Sequence, residues 1–193
     1  GTCEQREAAS CPRRIIDFER RADLEAAAER MRDARIPADV HQSMRAGLKL
    51  TDATTAVDLF LEGQARILVL SGKAGCGKTT AAAAALSREA GVYAAASEVG
   101  QVKPPDPELP RRLLGARLLI LDDLGREHAS AWSIAQLEEL IAARHDNKRR
   151  TICTTNLSAA EFSERYGVRV ADRISGVYGS FVPLRGKSLR HEK

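Results

Sequence analysis

The sequence predicts an α/β domain, a five-stranded parallel sheet with helices on both faces. Three observations predict it. Short apolar runs alternate with longer stretches whose apolar residues recur at helical spacing. A glycine-rich turn joins one such run to an alanine-rich helix. Hydrophobic residues make up 44% of the chain but aromatic ones only 4%, a balance that favours helices over an all-β fold. A chain of 193 residues holds one main domain with a sizeable core and little room for a second.

The elements follow in order. Residues 14–34 carry apolar residues at helical spacing among mixed charges, an amphipathic helix. Arg35-Ile36-Pro37 ends it, because the residue before a proline is pushed out of the helical region. A soft boundary there separates an N-terminal helix and extension, 1–37, from the main domain, 38–193. A helix over 54–62 precedes the first strand, Ile67-Leu68-Val69-Leu70, an apolar run typical of a buried parallel strand. Lys78 to Ala90 is a helix with five consecutive alanines, Ala81 to Ala85, stopped by Gly91.

Further strands are expected at 92–96, at 118–121 ending in Asp122, at 151–155, and at 181–184, where Pro183 marks a sheet edge because it cannot donate a ladder bond. Residues 132–145 form a helix with Ile134, Leu137, Leu140 and Ile141 on one face. Ser158 and Glu161 form a capping box at the start of another.

No run approaches the roughly 20 apolar residues of a membrane span and nothing resembles a signal peptide, so the expected location is the cytoplasm, with no membrane partner. The chain opens on Gly1 instead of Met, as a trimmed or processed fragment would. Cys76 lies in the glycine-rich turn and Cys153 in a buried strand, while Cys3 and Cys11, with seven residues between them, lack the second pair of a zinc site; all four read as reduced thiols. A net charge of +4 suits a protein that meets phosphates without assigning nucleic-acid binding by itself.

The chemistry centres on Gly72-Lys73-Ala74-Gly75-Cys76-Gly77-Lys78-Thr79, a complete Walker A phosphate loop set between a strand and a helix. Its glycines let the backbone curl so that successive amides point at phosphates. Lys78 offers its charge to the β- and γ-phosphates, Thr79 its hydroxyl to magnesium, and Thr80 supports the α-phosphate, with the helix start facing the anion. ATP and Mg²⁺ are therefore the expected ligands. Asp122, at the end of the apolar run in LLILDDLG, fits the Walker B carboxylate that holds the metal, and Asp123 stands where a water-orienting carboxylate belongs. Asn156 leaves the tip of the strand between those carrying the two Walker motifs and faces the γ-phosphate as a sensor; it also suits a turn before the capped helix. Arg169 and Arg173, one helical turn apart beside Asp172, are either surface residues or candidates for an arginine finger.

Together these residues resemble the DnaC/IstB branch of the AAA+ ATPases, bacterial and phage helicase loaders and transposition helpers. The resemblance runs through RIP at 35–37, SGKAGCGKTT at 71–80, LLILDDLG at 118–125, AARHDN, TICTTNLS at 151–158, RVADRIS at 169–175 and GKSLR at 186–190. It implies that Asp122 and Asp123 are the Walker B pair, Asn156 sensor 1, Arg173 the finger acting in trans and Arg190 a further basic contact. It also implies homo-oligomers in the ATP-bound state, assembled on DNA with ATP sites between subunits, and weak hydrolysis by the monomer. Three departures stand out. The family's extra helical element before Walker B is replaced by a short proline-rich span, 97–115, no C-terminal lid domain follows the last strand, and a helicase-docking module is reduced to the helix at 14–34.

The leading expectation is a slow, oligomer- or DNA-dependent ATPase that loads a replicative helicase, with single-stranded DNA held by side chains such as Arg111, Arg112 and Lys187. The alternatives are a transposition helper that recruits a transposase to duplex DNA, a nucleotide-gated binding protein with little turnover, suggested by Asp123 in place of glutamate, and a small-molecule kinase. The last lacks an acceptor-binding insert and an arginine-rich lid.

Overall fold

The computed structural model describes residues 12–45, 50–99, 108–127 and 130–185. Along the chain come α1 (Pro12–Asp33), α2 (Ala38–Arg45), α3 (Asp52–Glu62), β1 (Ile67–Ser71), α4 (Lys78–Arg88), β2 (Gly91–Ala95) and α5 (Ala96–Val99). They are followed by α6 (Glu108–Gly115), β3 (Leu118–Leu124), α7 (Ala131–Asp146), β4 (Arg150–Thr155), α8 (Ala159–Ser175) and β5 (Gly179–Pro183). Among the described residues the strands make one parallel sheet in the order β2-β3-β4-β1-β5. The fold expected from the sequence is the fold observed. Pro183 lies on an edge strand, as expected, and β4 sits between β1 and β3.

Both faces of the sheet are covered, which is why the strands read as continuous apolar runs. Alternation still decides the partner of each side chain. Leu68, Leu70, Leu118, Ile120 and Ile152 pack with Ala81, Ala82 and Leu86 of α4 and with Val57 and Phe60 of α3. Their neighbours Ile67, Val69, Leu119, Leu121 and Cys153 point the other way, toward Leu137 and Ile141 of α7 and Phe162, Tyr166 and Val170 of α8. At roughly 1.5–3 kcal/mol for each large side chain buried, these two layers are the main source of stability. The alanine run of α4 serves close packing: Ala82, Ala83 and Ala85 are all essentially buried.

The N-terminal helix is tied into this core at its C-terminal end. Arg30 donates to the Ser87 carbonyl (Nε at 2.9 Å), Ala34 and Ile36 are buried, and the Tyr93 N–H donates to the Ala34 carbonyl at 2.9 Å. The last bond occupies an outward-facing donor of the edge strand β2.

Local signals set the helix starts. Thr51 and Thr54 cap α3 reciprocally, and Ser158 and Glu161 form the capping box expected for α8. Helix α8 is broken at Gly167, whose φ of 77° lies in the left-handed region, so its two halves run in different directions. Helices α2, α5 and α6 add to the elements expected from the sequence; α5 and α6 fall within the proline-rich span.

Candidate functional site

Because β1, β3 and β4 are adjacent and parallel, their C-terminal ends bring three distant segments to one edge of the sheet. The loop from Gly72 to Gly77 leaves β1 there and curls back into α4. Gly75 (φ 86°) and Gly77 (φ 85°) adopt left-handed conformations that a side chain would strain, and Gly77 is the N-cap of α4. The loop is clamped from behind: the Gly72 N–H donates to the Thr155 carbonyl at 3.1 Å, and Ser71 Oγ donates to the Leu157 carbonyl at 2.6 Å.

Lys78 is 5% exposed. Its ammonium donates to the carbonyls of Gly72 (2.6 Å) and Lys73 (2.9 Å) and to Asn156 Oδ1 (3.0 Å), with Cys76 Sγ at 3.8 Å. The buried cation thus has no carboxylate among these partners, and its charge is held by weaker acceptors that a phosphate would outcompete. Thr80 follows within the first turn of α4, and Ala74 completes the loop.

Asp122 is 7% exposed and receives three hydroxyl donors. Thr79 Oγ1 and Thr154 Oγ1 donate to Oδ1 at 2.8 and 2.6 Å, and the Tyr93 hydroxyl donates to Oδ2 at 2.6 Å. Thr79 and Asp122 are 43 residues apart in sequence, so this contact is a product of the fold. Asp123 follows in a β-bulge, where the register with β4 shifts between Leu121 and Leu124, and has φ 59°. Its N–H donates to Thr154 Oγ1 at 3.0 Å, and its carboxylate stands 3.8 Å from Arg126. The structure therefore gathers Lys78, Thr79, Asp122, Asp123 and Asn156 on one edge of the sheet.

Arg173 lies elsewhere. Helices α7 and α8 end where β4 and β5 begin, whereas the phosphate loop follows the end of β1, so Arg173 occupies the opposite edge. Its guanidinium pairs with Asp146 and donates to the Arg169 carbonyl at 3.2 Å. It lines a 420 Å³ recess with His145, Arg169, Asp172 and Tyr178. Arg111 and Arg112, at the end of α6, reach the same edge, since α6 runs into the start of β3. Arg112 Nε is buried without a partner, the one such side-chain atom among the described residues. Cys3, Cys11, Lys187 and Arg190 lie outside the described residues.

No family model and no curated protein sequence matches the chain. Solved structures do. The DnaC helicase loader aligns with 68% of this chain and 87% of its own at a TM-score of 0.57 and 21% identity. DnaI aligns over 81% and 95%, at 0.65 and 18%. The replication initiator DnaA, bound to AMPPCP and single-stranded DNA, aligns over 72% and 48%, at 0.58 and 17%, so the chain spans about half of that protein. The chain has a DnaC-like fold.

Within this fold, several residues at or behind the site have no role assigned from the sequence. Tyr93 and Thr154 hold Asp122, although in sequence Tyr93 belongs only to an apolar strand and Thr154 only to a polar strand tip. Glu127, in the loop after β3, is 4% exposed. Its carboxylate accepts from Arg165 Nε (2.8 Å), the Tyr166 hydroxyl (2.6 Å) and the Gly125 N–H (2.8 Å), linking the loop after β3 to α8. Burial alone would raise its pKa, but the bonds from Tyr166, Arg165 and the backbone outweigh it and hold the carboxyl below its ordinary range. The capping of Glu127 by residues 38 and 39 positions away has no local signature.

Among the described residues no helix is long and apolar enough to cross a membrane.

Proposed function

We propose that this chain is an AAA+ ATPase that binds and hydrolyses ATP and acts on DNA in replication, as a cytoplasmic helicase loader. The observation that carries the reading is the convergence of Lys78 and Asn156, 3.0 Å apart, beside Thr79 and Asp122, 2.8 Å apart, at the start of α4. Lys78, at the start of α4, and Asn156, just past the end of β4, would meet one terminal phosphate. The amides of Gly72 to Gly77 and the start of α4 supply the cradle behind it.

The Thr79 hydroxyl and the Asp122 carboxylate are hard oxygen donors, a set that fits Mg²⁺; bound there, the cation would neutralise phosphate charge. Asp122 would hold it, Asp123 would orient the attacking water, and Asn156 would register the terminal phosphate. Arg173 cannot reach the Lys78 site of its own subunit, being on the other edge of the sheet, so as a finger it would serve a neighbouring copy in an ATP-bound homo-oligomer. DnaC is named a helicase loader, and the DnaA structure holds single-stranded DNA; by likeness of fold, a replicative helicase and single-stranded DNA are the partners expected here.

One observation favours a second reading, a nucleotide-dependent binding protein with little turnover: the short Asp123 side chain, on a backbone turned to φ 59°, stands 3.8 Å from Arg126. One experiment separates the readings. ATP binding, turnover and oligomer size are measured for the protein alone, with single-stranded DNA, with duplex DNA and with a replicative helicase, beside the Lys78→Ala variant. Stimulation and assembly by single-stranded DNA or helicase support the loader, and stimulation by duplex DNA alone supports a transposition helper. Binding without turnover in every arm supports the second reading. If Lys78→Ala binds ATP as the wild type does, the proposal fails.

A further inference from the structure

Asp122 owes its orientation to more than the two threonines that share its Oδ1. Its other oxygen, Oδ2, is taken by the hydroxyl of Tyr93 at 2.6 Å, a short bond of the charge-assisted kind. The strand register explains how the two meet. Tyr93 lies opposite Ile120 and Ala95 opposite Asp122, so the tyrosine reaches its partner along the cross-strand diagonal, a span that a long aromatic side chain can bridge.

Both ends of Tyr93 are fixed. Its side chain is buried, 6% exposed, in the layer between the sheet and α4. Its main-chain N–H is held by the Ala34 carbonyl at 2.9 Å, so the end of α1 braces the strand from outside. A rotamer of Asp122 that turned Oδ2 away would leave a buried phenol without its partner, in addition to stranding Thr79 and Thr154.

We propose that Tyr93 is a positioning residue for Asp122, its braced hydroxyl fixing the carboxylate rotamer that presents Oδ1 to Thr79 and so setting the affinity of the nucleotide site for its divalent cation. The inference rests on the functional reading above. It assigns a role to a residue outside the Walker motifs. Partners that orient a metal-holding carboxylate commonly change metal affinity ten-fold or more when removed.

Tyr93→Phe tests it, because phenylalanine keeps the ring in the core and removes only the donor. The readout is binding of a fluorescent, non-hydrolysable ATP analogue, titrated with Mg²⁺ and repeated in EDTA, with melting temperature measured in parallel. The expected result is an Mg²⁺ midpoint raised about ten-fold with metal-free affinity unchanged, since Lys78 and the loop amides are untouched. A tyrosine that merely fills the core would lower the melting temperature and leave the midpoint where it was. An unchanged or lowered midpoint overturns the inference while leaving the functional reading intact. Absence of analogue binding by the wild type, with or without Mg²⁺, overturns the functional reading and this inference with it.

Discussion

Arg173 and Asp146 form an ion pair at 3.2 Å that joins the last turn of α8 to the last residue of α7, on the edge of the sheet opposite Lys78. The bond from His145, then the one from Arg173, hold the Asp146 carboxyl below its ordinary pKa, so the pair persists into mildly acidic solution. The arginine is thereby held at the surface, neither folded back into the core nor loose in solvent. That is the condition a residue needs if it is to be offered to a second subunit.

Arg173→Ala is therefore expected to separate two properties. Nucleotide binding by the isolated subunit and its melting temperature should stay close to wild type, because a half-exposed pair adds little stability. Turnover in the DNA-bound assembly should fall by about a thousand-fold, as loss of an arginine finger does elsewhere. Single-turnover hydrolysis with saturating single-stranded DNA measures the second quantity, and retention of full turnover would remove Arg173 from the role.

Asn156→Ala addresses the other side of the phosphate. The side chain is exposed and its described contact is with Lys78, so the variant should fold and bind nucleotide normally. Its turnover should drop by about a hundred-fold, the usual cost of losing one preorganised polar contact to developing charge. Equilibrium binding beside steady-state hydrolysis distinguishes this from a simple loss of affinity.

Glu127 gives a pH signature. Its folded-state pKa lies below that of an unfolded glutamate, about 4.3, so its contribution is fully present above that value and disappears as pH falls through the folded pKa. Glu127→Gln should cost about 2 kcal/mol at neutral pH, since a buried guanidinium bond and a phenol bond are weakened. The difference between variant and wild type should begin to shrink as pH drops below the unfolded value of about 4.3 and should vanish once pH has passed the lowered folded pKa, where the native carboxyl is protonated too. Urea denaturation at pH 7, 5 and 3 reads this convergence directly.

Arg144 is a structural counterpart. It is 1% exposed and, among the described residues, has no carboxylate partner; its guanidinium donates to Thr151 Oγ1 at 2.9 Å and to the carbonyls of Leu113, Leu114, Ala116 and Arg150. Burial pushes its pKa down to about 10, still far enough above neutrality to keep the charge. Arg144→Met preserves much of the volume but leaves those acceptors bare, and should cost about 3 kcal/mol or more by chemical denaturation. A loss under about 1 kcal/mol would mean that water replaces the guanidinium.

Features that depend on neighbours in sequence were readable in advance. The apolar runs gave the strands, the capping pair Ser158 and Glu161 gave the start of α8, and the spacing from Gly72 to Thr79 gave the phosphate loop. Features that depend on strand order were not. Tyr93 meets Asp122 only because β2 lies beside β3, and nothing within a few residues of either announces the contact. Helices α2 and α6 escaped notice for a related reason: each buries a single large apolar residue, Val40 and Leu113, too few to print a period. Glu127 carries no signal in the sequence because its partners Arg165 and Tyr166 come from a distant helix. Arg173 has Asp172 beside it in sequence, whereas the carboxylate it pairs with is Asp146, from another helix.

The bond from Tyr93 to Ala34 has one more consequence, at the margins of the sheet. On the β2 side it takes an outward N–H that another strand would need, and on the β5 side Pro183 has no N–H to give. A strand added at either margin would therefore forgo one ladder bond, at Tyr93 on one side and at Pro183 on the other, so each edge carries its own local check on the fusion of one sheet into the next.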